Sequence, residues 1–338
     1  MATVTAPSRV DVRVPASFKN EPMVDFSRDD IVRKMRAAIE KVRNELGREY
    51  DLVIGGRRVK TEQNLNAINP AQPAQIVGIH HESGVAEVDP AMAAALKAFQ
   101  TWSRTSVEER TNLLFRTGAL LRERRFEFMA WLVFEVGKNW VEADADIAEL
   151  IDFCDFYALE ALQLDKVEPP VQLPGERDTL RYIPLGVGAV IPPWNFPGAI
   201  MGGMTLASIV SGNTVVLKPS SDSPTIAAKF IELLEEAGMP DGVVNFCPGG
   251  GGTFGNAIVE HPKTRFIAFT GSKEVGLHIN QAAAKQQPGQ IWIKRTILEM
   301  GGKDAMIVDA DADIDAAVEG TVQAAFGFQG QKCSACSR

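Results

Sequence analysis

Cysteine and histidine are scarce in this 338-residue chain, with four of each. The histidines (His80, His81, His261, His278) form no recognisable pattern with a cysteine. So few thiols exclude a disulfide framework and point to a reducing compartment, the cytoplasm. Cys333 and Cys336 form one C-x-x-C, but no second such pair or paired histidine completes the four ligands of a structural zinc, and no metal is expected. Long apolar runs are also missing. The longest, Ala199 to Val210, is too short and too glycine-rich to span a bilayer. The start, Met1-Ala2-Thr3-Val4-Thr5-Ala6-Pro7, lacks the charged-then-apolar layout of a secretory signal. Positive charge is not in excess: the net charge is −8, and no basic stripe with interleaved aromatics offers itself to nucleic acid. No repeat with a period of about 20–50 residues is visible.

What remains is 45% apolar and 23% charged residues, an ordinary soluble composition in a chain too long for one simple domain. Residues 1–20 lack any period and read as a loose arm. Apolar residues at three- and four-residue steps predict a helix from Asp29 to Leu46, and others over Val85–Trp102 and Val141–Leu162. Ser106 with Glu109 has the form of a capping box ahead of a leucine-rich helix. Leu52 to Val59 reads as a hairpin turning on Gly55 and Gly56. Val171 to Pro184, after the Pro169-Pro170 pair, reads as an extended arm around Pro174-Gly175. From Val187 short apolar strands alternate with helices, the sign of a parallel α/β sheet. The predicted strands are Val187–Ile191, Thr214–Lys218, Val243–Phe246 and Arg265–Phe269. Ser223 is the expected cap of the helix that starts at Pro224. A last strand (Ala305–Val308) and helix (Asp313–Ala325) would open a second domain.

The chemistry concentrates near the end of the chain. Phe326-Gly327-Phe328-Gln329-Gly330-Gln331-Lys332-Cys333 sets a cysteine in a glycine-broken polar loop beside a lysine, where substrate can reach it and the thiolate is favoured. The competing readings of Cys333 and Cys336 are a metal pair or a redox pair, whereas Cys154 and Cys247 lie in apolar runs and read as core. Glu299 in Leu298-Glu299-Met300-Gly301-Gly302-Lys303, 34 residues before Cys333, is the carboxylate candidate for a general base, a role that burial would favour by raising its pKa, against a plain solvated strand end. Asn195, stiffened by prolines in Pro193-Trp194-Asn195-Phe196-Pro197, offers a neutral amide donor. Pro248-Gly249-Gly250-Gly251-Gly252-Thr253-Phe254-Gly255 follows a strand and lets backbone approach a dinucleotide, though a glycine run alone is a weak signal.

Pro193-Trp194-Asn195-Phe196-Pro197, Leu217-Lys218-Pro219-Ser220, Phe269-Thr270-Gly271-Ser272, Glu299-Met300-Gly301-Gly302-Lys303 and Gly330-Gln331-Lys332-Cys333, in that order along the chain, resemble the signature of the aldehyde dehydrogenase superfamily from about residue 20 onward. The resemblance implies an α/β fold: a Rossmann-like parallel-sheet NAD(P)-binding domain over 21–170 and 186–298, an oligomerisation hairpin at 171–185, and the beginning of an α/β catalytic domain over 299–338. It implies Cys333 as nucleophile, Glu299 as the base that activates water, and Asn195 as oxyanion donor. Pro193, Trp194, Lys218, Ser221, Gly249, Gly251, Gly255, Gly271 and Ser272 would hold NAD. Because Ser221 stands where many members have a glutamate, NADP would be tolerated. Four further segments resemble the branch that oxidises L-glutamate γ-semialdehyde, the open form of 1-pyrroline-5-carboxylate, to glutamate: Lys19-Asn20-Glu21-Pro22, Glu135-Val136-Gly137-Lys138-Asn139-Trp140, Asp146 to Phe153, and Gly330 to Ala335. That branch nominates Glu149 for the substrate ammonium, Phe196 for its stem and Ser334 for its carboxylate. Family members are homo-oligomers, and a proline-oxidising enzyme would be the coupled partner. They also continue past the nucleophile through a Glu-x-Phe-Gly-Pro motif absent here. On that comparison the chain is expected to be a fragment, inactive or poorly soluble by itself. A non-catalytic nucleotide-binding remnant, or a member acting on another aldehyde, is the alternative.

Overall fold

A computed structural model describes residues 14–168 and 171–337. The loose arm expected over 1–20 therefore falls mostly outside the described residues, as does the Pro169-Pro170 pair. The helices, in chain order, are α1 (Asp29–Arg43), α2 (Val88–Trp102), α3 (Val107–Glu123), α4 (Arg125–Val136), α5 (Trp140–Leu164), α6 (Ala199–Val210), α7 (Pro224–Glu236), α8 (Asn256–Glu260), α9 (Lys273–Ala284) and α10 (Ile314–Phe326). The strands are β1 (Arg48–Tyr50), β2 (Leu52–Ile54), β3 (Arg57–Val59), β4 (Asn64–Asn69), β5 (Gln72–His81), β6 (Val187–Ile191), β7 (Thr214–Leu217), β8 (Val244–Phe246), β9 (Thr264–Thr270) and β10 (Arg295–Glu299). No described helix is long and apolar enough to cross a membrane.

Seven strands form the main sheet in the order β10-β9-β6-β7-β8-β2-β3. From β10 to β8 the pairing is parallel; β2 and β3 close the far side antiparallel. Every residue of β6, β7 and β8 is buried. Helices cover both faces of such strands, so their side chains cannot alternate apolar and polar, and the sequence shows continuous apolar runs. A smaller sheet, β1-β5-β4, lies apart. The β2–β3 turn does use Gly55 and Gly56, both with positive φ (59° and 74°), as a two-residue hairpin requires. Gly175 (φ 85°) likewise turns the 171–185 arm, but its two limbs form no ladder, so the hairpin expected there is not one. Gln172 and Asp178 close the turn instead, Asp178 N donating to Gln172 Oε1 at 3.2 Å.

Chain order fixes where the sheet opens. From β6 the path runs to β7 and β8 on one side, then returns to β9 and β10 on the other. The loops leaving the carboxyl ends of β6 and its neighbours diverge there, which creates a crevice.

Two local expectations fail. Ala305–Val308 is not a strand: β10 takes the edge position beside β9, and Ile307 stands 92% exposed with no strand among the described residues to pair with. Among the described residues, an isolated bridge between Asp304 and Cys336, just before the stretch, is the nearest sheet-like contact. Ser223 does not cap α7; its hydroxyl is buried with no hydrogen-bond partner. The cap comes from α4, where Glu135 Oε1 accepts from Thr225 N at 2.6 Å and Oε2 from Ile226 N at 2.8 Å. Burial pushes this carboxyl up to about 7 against the pull of those two donors.

Glu135→Ala should cost about 1–3 kcal/mol, since two buried N–H groups lose their acceptor. The folded pKa lies above the usual 4.5, so folding takes up a proton between about 4.5 and 7. This group's stabilisation therefore falls as pH rises through that window. Urea midpoints at pH 5 and pH 8 check both points: the gap between wild type and variant should be wider at pH 5.

Candidate active site

A cleft of about 670 Å³ opens at the carboxyl ends of the parallel strands. β6 delivers Pro193, Trp194 and Asn195; β7 delivers Lys218 and Ser221; β9 delivers Gly271 and Ser272. Gly251 and Gly255 line it from the turn after β8, and Cys333 closes it together with Gln331 and Lys332. Cys333 is exposed and free of any disulfide. Asn195 Nδ2 donates to the Gln331 carbonyl at 2.8 Å, tying the proline-flanked turn to the cysteine loop. An amide nitrogen has two hydrogens, so one is left to face the cleft.

Lys218 is buried at the end of β7, its Nζ donating to Pro219 O at 3.0 Å. Burial lowers its pKa to about 8, with Glu82 and Asp222 opposing the shift. Gly255 packs beside the stem: a Cβ there would stand 3.4 Å from Lys218 Cε, in contact with it. At Gly251 and Gly252 an added Cβ would meet nothing within 4 Å, so the backbone of this turn is open to a ligand. Ser272 accepts from Val275 N at 3.3 Å and so caps α9 at the cleft wall. A buried cation, open glycine backbone and a helix start at the carboxyl ends of parallel strands suit a dinucleotide.

Five predicted residues do not line the cleft. Gly249 packs against Ser83, whose carbonyl oxygen would lie 2.5 Å from a Cβ there. Glu299 is exposed at the end of the edge strand β10, not buried as expected of a tuned base; its carbonyl accepts from Gly271 N at 3.0 Å. Phe196 turns away from the cleft to meet Phe328, ring centroids 5.7 Å apart. Ser334 and Glu149 are both exposed, and Glu149 sits on α5. Its carboxyl is nonetheless partly desolvated by surrounding chain, which raises its pKa; Asp146 adds to this and Lys138 opposes it. Lys332 is not spent on the thiol beside it, since its Nζ stands 3.7 Å from Glu142 Oε2. Cys154 and Cys247 are core, as expected, and burial raises both thiols.

The sequence reading missed Asp222, Asn256 and His278, which share the cleft; His278 Nε2 lies 3.0 Å from Asn256 Oδ1. Asp222 was the findable one, because it directly follows Ser221 at a strand's carboxyl end. It also missed Lys138, fully buried and bonded to Asp146 Oδ2 at 2.9 Å.

A family model described as the aldehyde dehydrogenase family matches residues 57–338. The 1-pyrroline-5-carboxylate dehydrogenase of Geobacillus thermodenitrificans (strain NG80-2) is 55% identical over 321 residues, 95% of this chain and 62% of that protein. Among solved structures, a 1-pyrroline-5-carboxylate dehydrogenase from Thermus with bound NAD superposes with a TM-score of 0.93 at 51% identity, covering 96% of this chain and 63% of that one. Proline utilization A (PutA) from Bdellovibrio bacteriovorus also gives 0.93, at 45% identity over 96% of this chain and 34% of its own. The chain thus spans under two thirds of the length of these relatives.

Lys218→Met should raise the thermal midpoint at pH 7, because wild type carries a desolvated cation below pH 8. Between about 8 and 10.5 the folded lysine has lost its proton while the unfolded one keeps it. Wild-type stability then climbs with pH and the variant's advantage fades. Melting curves from pH 7 to 10.5 check this.

Proposed function

Because the chain belongs to the aldehyde dehydrogenase family, we propose that it serves the NAD-dependent oxidation of L-glutamate γ-semialdehyde, the open form of 1-pyrroline-5-carboxylate, to L-glutamate. The observation that carries the reading is that Cys333, Asn195 and Lys218 share one cleft at the carboxyl ends of parallel strands. Relatives at 50–55% identity bear that substrate's name.

The Cys333 thiolate adds to the aldehyde carbon, and the free hydrogen of Asn195 Nδ2, with the Cys333 backbone N–H, holds the oxyanion that forms. When bound, NAD supplies the hydride acceptor, leaving the acyl group on Cys333 as a thioester. Lys218, Ser221, Pro193, Trp194 and the Gly251–Gly255 turn would hold the dinucleotide, with Gly271 and Ser272 beside it. Glu299, two residues before the cleft-lining Gly301, is the base for the hydrolytic water once its exposed side chain swings inward. Glu149 takes the substrate ammonium, Phe196 its stem and Ser334 its carboxylate. Glu142, Asp146 and Glu149 fall on one stripe of α5, and Glu142 already meets the cysteine loop through Lys332. Ser221 leaves NADP acceptable, although Asp222 beside it sets a negative charge against a 2′-phosphate, so NAD is preferred. The same reading takes 21–170 and 186–298 as the NAD(P)-binding domain and 299 onward as the catalytic one. It makes the 171–185 arm an oligomer contact and the location cytoplasmic. The PutA likeness supports coupling to proline oxidation.

The exposed Ile291, Ile293 and Ile307 favour a second reading, in which this chain by itself binds the dinucleotide without turning over. Absorbance at 340 nm with semialdehyde and NAD separates the two, and Cys333→Ala should abolish the signal while NAD binding persists. Glu149→Gln should raise the KM for the semialdehyde about tenfold, because a charge-assisted bond is worth about 1.5–3 kcal/mol. An unchanged KM removes Glu149 from the substrate site.

A further inference from the structure

The segment that bears Cys333 is thinly attached to the body of the protein. Among the described residues after Glu299 only Phe328 is buried, at 6% exposure. Phe328 and Gln329 both hold left-handed backbone, φ 48° and 51°, a region that L side chains rarely adopt. Contacts from outside the loop must hold that conformation in place.

Those contacts converge on Lys138. Its Nζ lies 3.9 Å from the centroid of the Phe196 ring and 4.5 Å from that of Phe328. The two rings meet edge to face at 75°. The ammonium is wholly buried and bonded to Asp146 Oδ2 at 2.9 Å. The other oxygen of Asp146 accepts from Ala199 N at 2.6 Å, where the Asn195 turn enters α6. One cation thus touches the cysteine loop, the amide turn and α5 at once. Cation–ring attraction is strongest where water is excluded, as it is here.

We infer that Lys138 is a positioning residue: held between Phe196 and Phe328, it fixes the Cys333 loop against the Asn195 turn and so sets the geometry of thiol and amide. Its kinetic consequence rests on the aldehyde-oxidising reading, whereas the contact itself does not.

The test replaces both charges together, Lys138→Met with Asp146→Asn, so that no buried charge is left unpaired and Ala199 N keeps an acceptor. Iodoacetamide labelling followed by peptide mass spectrometry reads Cys333, with Cys336 in the same peptide as internal reference. The relative labelling rate of Cys333 should shift about fivefold or more. With semialdehyde and NAD, kcat should fall about tenfold or more while the KM for NAD stays put. Lys138→Arg keeps a cation between the rings and should recover most of both. Phe328→Leu keeps an apolar side chain but removes a ring; it should reproduce the labelling shift, and it decides the matter if the double variant does not fold. A lower thermal midpoint with unchanged labelling and kcat would overturn the assignment. If wild type itself shows no turnover, the aldehyde-oxidising reading fails, and the labelling comparison still decides the role of Lys138.

Discussion

Strand direction is the constraint on which the rest depends. β10, β9, β6, β7 and β8 run parallel, so their carboxyl ends arrive at one edge of the sheet. Each loop that leaves that edge brings its own chemistry: an amide at 195, a buried ammonium at 218, open glycine backbone at 251 and 252. None of these groups needs to be near another in sequence. Because β6 has neighbours that depart in opposite directions, the loops spread and leave space between them.

The helix α5 organises the other side. Asp144, Asp146 and Asp152 look in sequence like a solvated acidic face, yet Asp144 and Asp146 are fully buried. Each holds a different part of the chain. Asp152 accepts from Asn20 Nδ2 and Glu21 N, Asp144 from Val24 N and Arg125, and Asp146 from Lys138 and Ala199 N. A buried ion costs several kcal/mol unless its remaining lone pairs are filled. Here both oxygens of Asp146 are filled, which makes the Lys138–Asp146 pair tolerable and directional.

The sequence made legible what is local or periodic. The Gly55-Gly56 hairpin, the apolar strand runs at 187–191 and 214–217, and the cysteine loop with its asparagine turn could all be read, because turn chemistry and two-sided burial write themselves into adjacent residues. Contacts between distant residues were not legible. Ser223 was the obvious cap for α7, but the acceptor is Glu135, from a helix far earlier in the chain. Ala305–Val308 has the composition of a strand, but composition does not provide a neighbour to pair with. Glu299 stands in the sequence as a general-base candidate or a solvated strand end, and only the sheet order, which puts β10 at the edge, shows its side chain exposed.

That edge has a consequence for handling the protein. β10 presents one side with no ladder partner among the described residues, and Ile291 and Ile293 just before it are 84% and 90% exposed. An open strand edge flanked by bare aliphatic side chains is a template for further strands. Stacking through this margin grows with concentration, and whatever covers it also governs the protein's colloidal lifetime.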